Sequence, residues 1–202
     1  MKETPIFEEV FARVLKLPSF WIKVLIGGLL SFVPILNFFA FGYLFRFSRG
    51  VRQTGGLAMP EWEAWNMLFM DGLKFAVVWL AYWLLPLLLA LAASVLVGFL
   101  GLGAFSYLIF SLAFLLSPIL FSSALYRYNM RTDLKDLLDV ALIVRMTYVE
   151  FPRLIIPALA FVGILAVGGA LYGFALFFGF LMLIAFTSLT YRSIEQNRSF
   201  AL

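Results

Sequence analysis

Two groups of carboxylates are the candidates for acid–base or metal chemistry in this sequence. The groups are Glu61, Glu63 and Asp71, and Asp133, Asp136 and Asp139. Neither spacing matches a standard ligand pattern, and carboxylates three residues apart on an amphipathic helix usually form its solvated face. The chain has no His and no Cys, which removes the commonest metal ligand and the thiolate nucleophile. We therefore expect no catalytic residue, no metal site and no cofactor, and no enzyme activity.

Six basic residues stand at the borders of the uncharged stretches. They are Lys23, Arg46, Lys74, Arg127, Arg153 and Arg192. Such residues can bind lipid phosphates, or they can simply anchor the ends of membrane helices and set the topology. Membrane lipids are the expected partner under both hypotheses. The net charge of +4 does not indicate nucleic acid, because Lys and Arg in a membrane protein mark its cytoplasmic face first.

A few residues inside the uncharged stretches are candidates for helix breaks or intramembrane polar contacts. They are Pro34, Asn37, Pro86, Pro118 and Pro157. Broken helices can build a substrate site, although proline more often only kinks a membrane helix. An ion-coupled carrier normally keeps a charged residue at membrane depth, and these stretches contain none.

Two long stretches without any charged residue dictate the architecture. They are Phe75–Tyr126 and Leu154–Tyr191, in a chain with 64% hydrophobic and only 13% charged residues. A membrane-spanning helix takes about 20 apolar residues, so each stretch predicts two passes. Glycines at 98–103 and 168–173 predict the turns between the passes. The sequence therefore predicts two transmembrane helical hairpins.

The first uncharged stretch, Val24–Phe45, permits two interpretations. It is long enough for one crossing, but Pro34 interrupts it, so it can also enter the membrane and return as a re-entrant hairpin. In the re-entrant case all 15 basic residues lie on one side, as the positive-inside rule requires. A single crossing would place Lys2, Arg13, Lys16 and Lys23 on the other side. We favour the re-entrant hairpin, with both termini cytoplasmic.

Amphipathic segments precede each uncharged stretch. Apolar residues at helical spacing within residues 6–16 predict a helix that lies in the membrane interface or packs on the membrane domain. Pro60-Glu61 predicts the start of a second such helix, and Thr132 is expected to cap a third. Nothing after the first apolar run is typical of a signal-peptide cleavage site, so we expect the N-terminus to be retained.

These blocks predict a single membrane domain over residues 1–202 with a degenerate threefold repeat. The repeat-like units are 1–52, 57–131 and 132–198, each with an amphipathic segment, a basic residue, an uncharged stretch and a closing arginine. Internal repeats are common in membrane folds. The alternative is that any polytopic protein alternates basic loops with apolar spans.

Three short motifs carry a family resemblance. They are GYLFR at 42–46, MPEW at 59–62 and FMDGLK at 69–74. In these residues, and from about Lys16 to Arg192, the chain resembles the prokaryotic membrane family known as domain of unknown function four-zero-one-three. The resemblance implies a bacterial or archaeal cytoplasmic-membrane protein and carries over no catalytic residues. From the residues themselves, we interpret Asp71 to Lys74 as a point where an amphipathic helix bends into the membrane.

The sequence thus predicts an all-α polytopic protein of the inner (plasma) membrane. We expect two transmembrane hairpins, a re-entrant or broken N-terminal hairpin and amphipathic interfacial helices. The leading hypothesis is a non-catalytic scaffold, accessory subunit or membrane-organising element that is a homo-oligomer or part of a larger complex. The alternative hypothesis is a channel or carrier for a small neutral or lipidic solute.

Overall fold

The computed structural model describes residues 5–199, with side chains through Gln196, and this part of the chain is helical and contains no strand. Lys2, whose side of the membrane tests the topology, lies outside the described residues. The helices are α1 (Phe7–Leu15), α2 (Phe20–Ser31), α3 (Asn37–Thr54), α4 (Trp65–Trp79), α5 (Leu85–Phe99), α6 (Gly103–Arg131), α7 (Lys135–Leu138), α8 (Val140–Val167) and α9 (Tyr172–Ser199). A π-helical turn, Leu80–Leu84, joins α4 to α5, and a 3₁₀ turn, Gly169–Leu171, precedes α9.

Four helical segments in the described part are long and apolar enough to cross a membrane. They are Trp65–Phe99, Gly103–Arg131, Val140–Val167 and Gly169–Gln196. The prediction of an all-α membrane protein is therefore confirmed. The two long uncharged stretches are helical, and their chain reversals fall at the predicted glycines. The first reversal lies between Phe99 and Gly103, with Gly101 in the left-handed region at φ 78°.

The chain divides into two compact units. One comprises the described residues up to Ala76 together with those from Leu159 onward, and the other is Val77–Ala158. These boundaries do not coincide with those of the three repeat-like units, because the first unit combines both ends of the chain. The threefold repeat stays a prediction.

In the first unit, α9 is the helix on which the others pack. Helices α1, α2 and α3 all contact α9, and α2 also contacts α3. The apolar face of α1 is buried there: Val14 is fully buried, and the Phe7 ring lies 5.5 Å from that of Phe186. Helices α1 and α2 meet at 93°. Of the two interpretations of residues 6–16, the contacts favour the helix packed on the domain.

In the second unit, α5 and α6 form a hairpin. Ser94 and Ser106 bond reciprocally across it: the Ser94 hydroxyl donates to the Ser106 carbonyl at 3.0 Å, and the Ser106 hydroxyl to the Ser94 carbonyl at 2.7 Å. Near the other end of the unit, the Tyr82 hydroxyl donates to the Leu137 carbonyl. Such bonds satisfy polar groups that lipid cannot solvate.

The helices differ from the expected amphipathic segments in two places. The segment that starts at Pro60-Glu61 is not helical, and α4 begins only at Trp65 and runs without a break through Asp71 to Lys74. Thr132 does not start a helix either. It ends α6 in a left-handed conformation with φ 54°, and Asp139 instead caps α8 by accepting a bond from the Leu142 N–H at 3.1 Å.

Candidate functional site

The three motifs that carry the family resemblance meet in the first unit, where α3 crosses α4. At the crossing, Gly42 lies against the Leu68 carbonyl, and Gly72 lies against the Phe38 carbonyl. Each glycine faces the carbonyl four residues before the other, so the contact is reciprocal. A Cβ atom on either glycine would lie 2.7 Å from the facing carbonyl carbon and would overlap its oxygen. These two positions therefore require glycine for the helices to approach so closely.

Next to the crossing, Asp71, the residue before Gly72, binds two cations. Its carboxylate accepts a bond from Arg46 Nε at 3.1 Å and one from Lys74 Nζ at 2.8 Å. Only 16% of the Asp71 side chain and 21% of the Arg46 side chain are exposed. At such a partly buried site the effective dielectric constant is lower, so an ion pair is stronger than at the open surface. The Arg46–Asp71 pair joins α3 to α4 and therefore fixes the register in which the two glycines face each other, whereas Lys74 pairs with Asp71 within α4.

Arg46 also holds the non-helical segment between α3 and α4. Its guanidinium donates to the carbonyls of Glu63 at 3.0 Å and of Ala64 at 3.4 Å. Lys23 of α2 binds the same segment: its ammonium donates to the Met59 carbonyl at 3.2 Å and to the Glu61 carboxylate at 2.6 Å. The Lys23 side chain is only 8% exposed. The MPEW motif is therefore fixed on helices α2 and α3.

An aromatic stack completes this cluster. The Trp62 ring lies on the Tyr43 ring with the centroids 4.2 Å apart, and Phe177 of α9 lies 5.7 Å from Tyr43. Tyr43 is fully buried, and neither its hydroxyl nor the Trp62 indole N–H has a hydrogen-bond partner among the described residues. We name the set Gly42, Arg46, Asp71, Gly72 and Lys74, with Lys23, Glu61, Tyr43 and Trp62, the motif clamp.

Arg192, another predicted anchor, caps a helix. Its guanidinium donates to the Val51 carbonyl at 3.3 Å and to the Arg52 carbonyl, at the C-terminal end of α3. Gly55 ends that helix in the left-handed conformation, with φ 72°. A cation on the last carbonyls of a helix is favourable against the helix dipole.

In the second unit, two predicted anchors pair with carboxylates. Arg127 donates to Asp136 at 2.7 Å, and Arg153 donates to Glu150 at 3.1 Å. Asp133 accepts a bond from the Lys135 N–H at 3.0 Å. The second carboxylate group thus forms one ion pair through Asp136 and two backbone caps through Asp133 and Asp139.

The predicted break positions fall into two kinds. Pro34 lies in the turn between α2 and α3, where Asn37 opens α3, and Pro86 lies in the first turn of α5 after the π-helical turn. Pro118 and Pro157 lie inside the continuous helices α6 and α8. The Asn37 side-chain oxygen has no hydrogen-bond partner among the described residues. Two of the four prolines thus lie at helix ends, and the other two lie within helices that continue through them.

An apolar groove lies elsewhere in the first unit, between α2, α8 and α9. Its volume is about 830 Å³. Sequence reasoning missed this groove and the glycine crossing, because both depend on which helix faces are neighbours. The three motifs were visible in the sequence, but only the folded chain reveals that they contact each other.

The comparisons with known proteins give one match. The family model described as "Protein of unknown function (DUF4013)" matches residues 26–147, which is more than half of the chain and includes all three motifs. No curated protein and no solved structure matches the chain.

Proposed function

We propose, from the premise that this chain belongs to the DUF4013 family of proteins of unknown function, that it is a non-catalytic membrane scaffold or accessory subunit. The observation that carries this proposal is the motif clamp. Its charged side chains bind each other and the backbone, and its glycines serve helix contact. These residues therefore stabilise the packing of the helices, and the rigid surface that results is one that another molecule can recognise.

The surface of the α5–α6 hairpin supports a role in binding other membrane helices. In α5 only Ser94 is buried, and that residue faces α6. Large apolar side chains on α5 are exposed, among them Leu89 at 63% and Leu96 at 66%. Lipid or a partner helix covers such a surface in the membrane, and helix association there depends on close packing. We assign this face of α5 to the partner.

The membrane-organising form of the hypothesis has less support. A helix that wedges into one leaflet needs an apolar face free for lipid. The buried face of α1 includes Val10 and Val14, and the Phe11 ring lies 6.1 Å from that of Phe178 on α9. We therefore favour the scaffold or accessory subunit over the wedge.

The topology proposed with this function is a re-entrant α2–α3 hairpin at the inner membrane of a prokaryote, with both termini cytoplasmic. In α2 the uncharged residues run only from Val24 to Ser31, and in α3 from Asn37 to Phe45. At 1.5 Å per residue each stretch extends about 12–14 Å, less than half of the hydrocarbon thickness. Because α2 also packs against α3, these short stretches support entry and return rather than a single crossing.

Cysteine labelling tests this topology. The chain has no Cys, so Lys2→Cys introduces a unique thiol. We expect a membrane-impermeant maleimide to label it in inverted vesicles and not in intact cells. Leu100→Cys, in the turn between α5 and α6, is the matched control and should be labelled from the opposite side. Labelling of both positions from the same side would contradict the proposed arrangement.

Native mass spectrometry after gentle extraction from the host membrane tests the proposed function. We expect a stoichiometric protein partner that Leu89→Asn with Leu96→Asn removes, because two polar amides would disturb a packed apolar interface. Leu159 on α8 is 53% exposed and serves as the control, so Leu159→Asn should keep the partner. A monomer free of partners, or a partner bound equally well by the α5 variant, would overturn the proposal for this face.

The alternative function, a carrier, has one observation in its favour. The groove in the first unit is lined only by apolar residues and glycine, which suits a lipidic solute and not a small polar one. A lipid retained by the protein and released when an acceptor membrane is added would favour the carrier. The scaffold hypothesis predicts that no lipid moves.

A further inference from the structure

The apolar groove of the first unit has three helical walls. Each helix contributes residues at helical spacing, so one face of each helix borders the groove. The lining residues are Trp21, Val24 and Leu25; Ala160, Gly163, Ile164, Val167 and Gly168; and Leu171, Phe174, Ala175 and Phe178. Helices α8 and α9 are candidate membrane spans, so the medium next to this groove is hydrocarbon.

We propose that this groove is a binding site for the acyl part of one membrane phospholipid. Its chemistry is the first reason, because no lining side chain carries a charge, a hydroxyl or an amide. A ligand with polar groups at this depth would leave them without partners, which is unfavourable. A hydrocarbon chain has no polar groups, so it makes van der Waals contacts with the lining side chains and leaves no polar group without a partner.

The size of the groove is the second reason. An apolar cavity of about 150 Å³ holds one benzene, so about 830 Å³ holds on the order of 30 carbon atoms. That is the size of the hydrocarbon part of a phospholipid and much larger than a small solute. A transmembrane helix of a second copy fits less well. The wall from Ala160 to Gly168 is about 12 Å long, whereas two spanning helices can pack along about 30 Å.

One end of the groove lies at Gly168 and Leu171, in the turn that joins α8 to α9. Because the chain leaves the membrane span at this turn, we expect the headgroup there, at the membrane surface. On α2, Trp21 and Val24 line the groove, and the Trp21 side chain is 68% exposed, so its indole can contact the acyl chains.

Gly163 allows the groove to be filled without disturbing the helices around it. It lines the groove, and a Cβ atom at this position would meet nothing within 4 Å. The substitution Gly163→Phe therefore projects a ring into the groove. Leu159→Phe is the matched control, because Leu159 lies on the same helix, is exposed and does not line the groove.

The experiment is native mass spectrometry of the full chain, exchanged from vesicles of phosphatidylglycerol and phosphatidylcholine into mild detergent. We expect the wild type and Leu159→Phe to retain one phospholipid. Gly163→Phe should lower its occupancy about tenfold, the change expected for two methylene groups that are no longer buried. Equal retention by Gly163→Phe would overturn the proposal. So would a wild-type dimer that Gly163→Phe converts to a monomer, because a second copy would then occupy the groove.

A second measurement does not depend on any change at Gly163. Phosphatidylglycerol with brominated acyl chains quenches tryptophan fluorescence on contact. We expect that a low mole fraction of this lipid in phosphatidylcholine vesicles quenches the wild type more than Trp21→Phe, because the indole that borders the site is then missing. Equal fractional quenching of the two proteins would contradict a lipid held beside Trp21.

Discussion

Alanine at Gly42 or at Gly72 is expected to lower the free energy of unfolding by about 3 kcal/mol, the upper part of the range for overpacked sites. The added methyl group would overlap a backbone carbonyl, and backbone cannot move away as the end of a side chain can. Since the contact is reciprocal, α3 and α4 must separate in either variant. SDS titration of the protein in mild detergent, followed by tryptophan fluorescence, measures the loss.

Gly50→Ala is the matched control for this prediction. Gly50 lies in the same helix, α3, and a Cβ atom there meets nothing within 4 Å. Alanine is favoured over glycine in a helix by about 1 kcal/mol, so this variant is expected to be neutral or slightly more stable. If Gly42→Ala and Gly72→Ala unfold like Gly50→Ala, the close crossing of α3 and α4 is wrong.

The double variant distinguishes a shared contact from two separate ones. Both methyl groups act on one crossing, so once α3 and α4 have moved apart the second methyl group adds little. We expect the loss in the double variant to be clearly smaller than the sum of the single losses, since substitutions that share one contact are not additive. Full additivity would mean that each glycine serves a different contact.

The membrane helices could be predicted from the sequence because length and apolarity alone decide them. Phe75–Tyr126 has no charged residue over more than twice the length of one span, and only helices can satisfy its backbone in lipid. The turn at Gly101 followed from the same argument, because the chain must reverse near the middle. These predictions need no knowledge of neighbouring residues.

The helix ends near charged segments could not be predicted in this way. Pro60-Glu61 is a common start of a helix, but here Glu61 pairs with Lys23, and Trp62 stacks on Tyr43. Both contacts join residues far apart in the sequence, and they hold the segment in a non-helical path until Trp65. Local propensity is a weak influence against such tertiary contacts.

The prolines of α8 were misleading for a related reason. The sequence predicts a membrane segment from Leu154 that follows a separate amphipathic helix, yet α8 runs from Val140 to Val167 through Pro152 and Pro157. A membrane helix tolerates proline where neighbouring groups satisfy the freed carbonyls.

Of the candidate site, the sequence revealed the charged residues but not their pairing. Asp71 was expected on a solvated face, and it instead binds Arg46 and Lys74.

The pairing of Asp71 with Arg46 and Lys74 leads to a second prediction of a large change in the free energy of unfolding. Asp71→Asn is expected to lower the free energy of unfolding by about 3 kcal/mol, because it leaves Arg46 mostly buried without its anion. Lys74 loses the same partner and is more exposed, at 37%, so water compensates it better. The same SDS titration measures the loss. Glu9→Gln is the control, because Glu9 and Arg13 are mostly exposed and 3.6 Å apart, and removing such a pair changes stability by less than about 1 kcal/mol.

A double-mutant cycle with Arg46→Gln separates the ion pair from other effects of the change at Asp71. If the two side chains stabilise the protein through each other, the double variant Arg46→Gln with Asp71→Asn loses less stability than the sum of the single variants. We expect a coupling of about 2 kcal/mol, within the range for contacting residues. Coupling near zero would mean that Arg46 acts through the Glu63 and Ala64 carbonyls alone. The clamp would then fix the MPEW segment but not the crossing of α3 and α4.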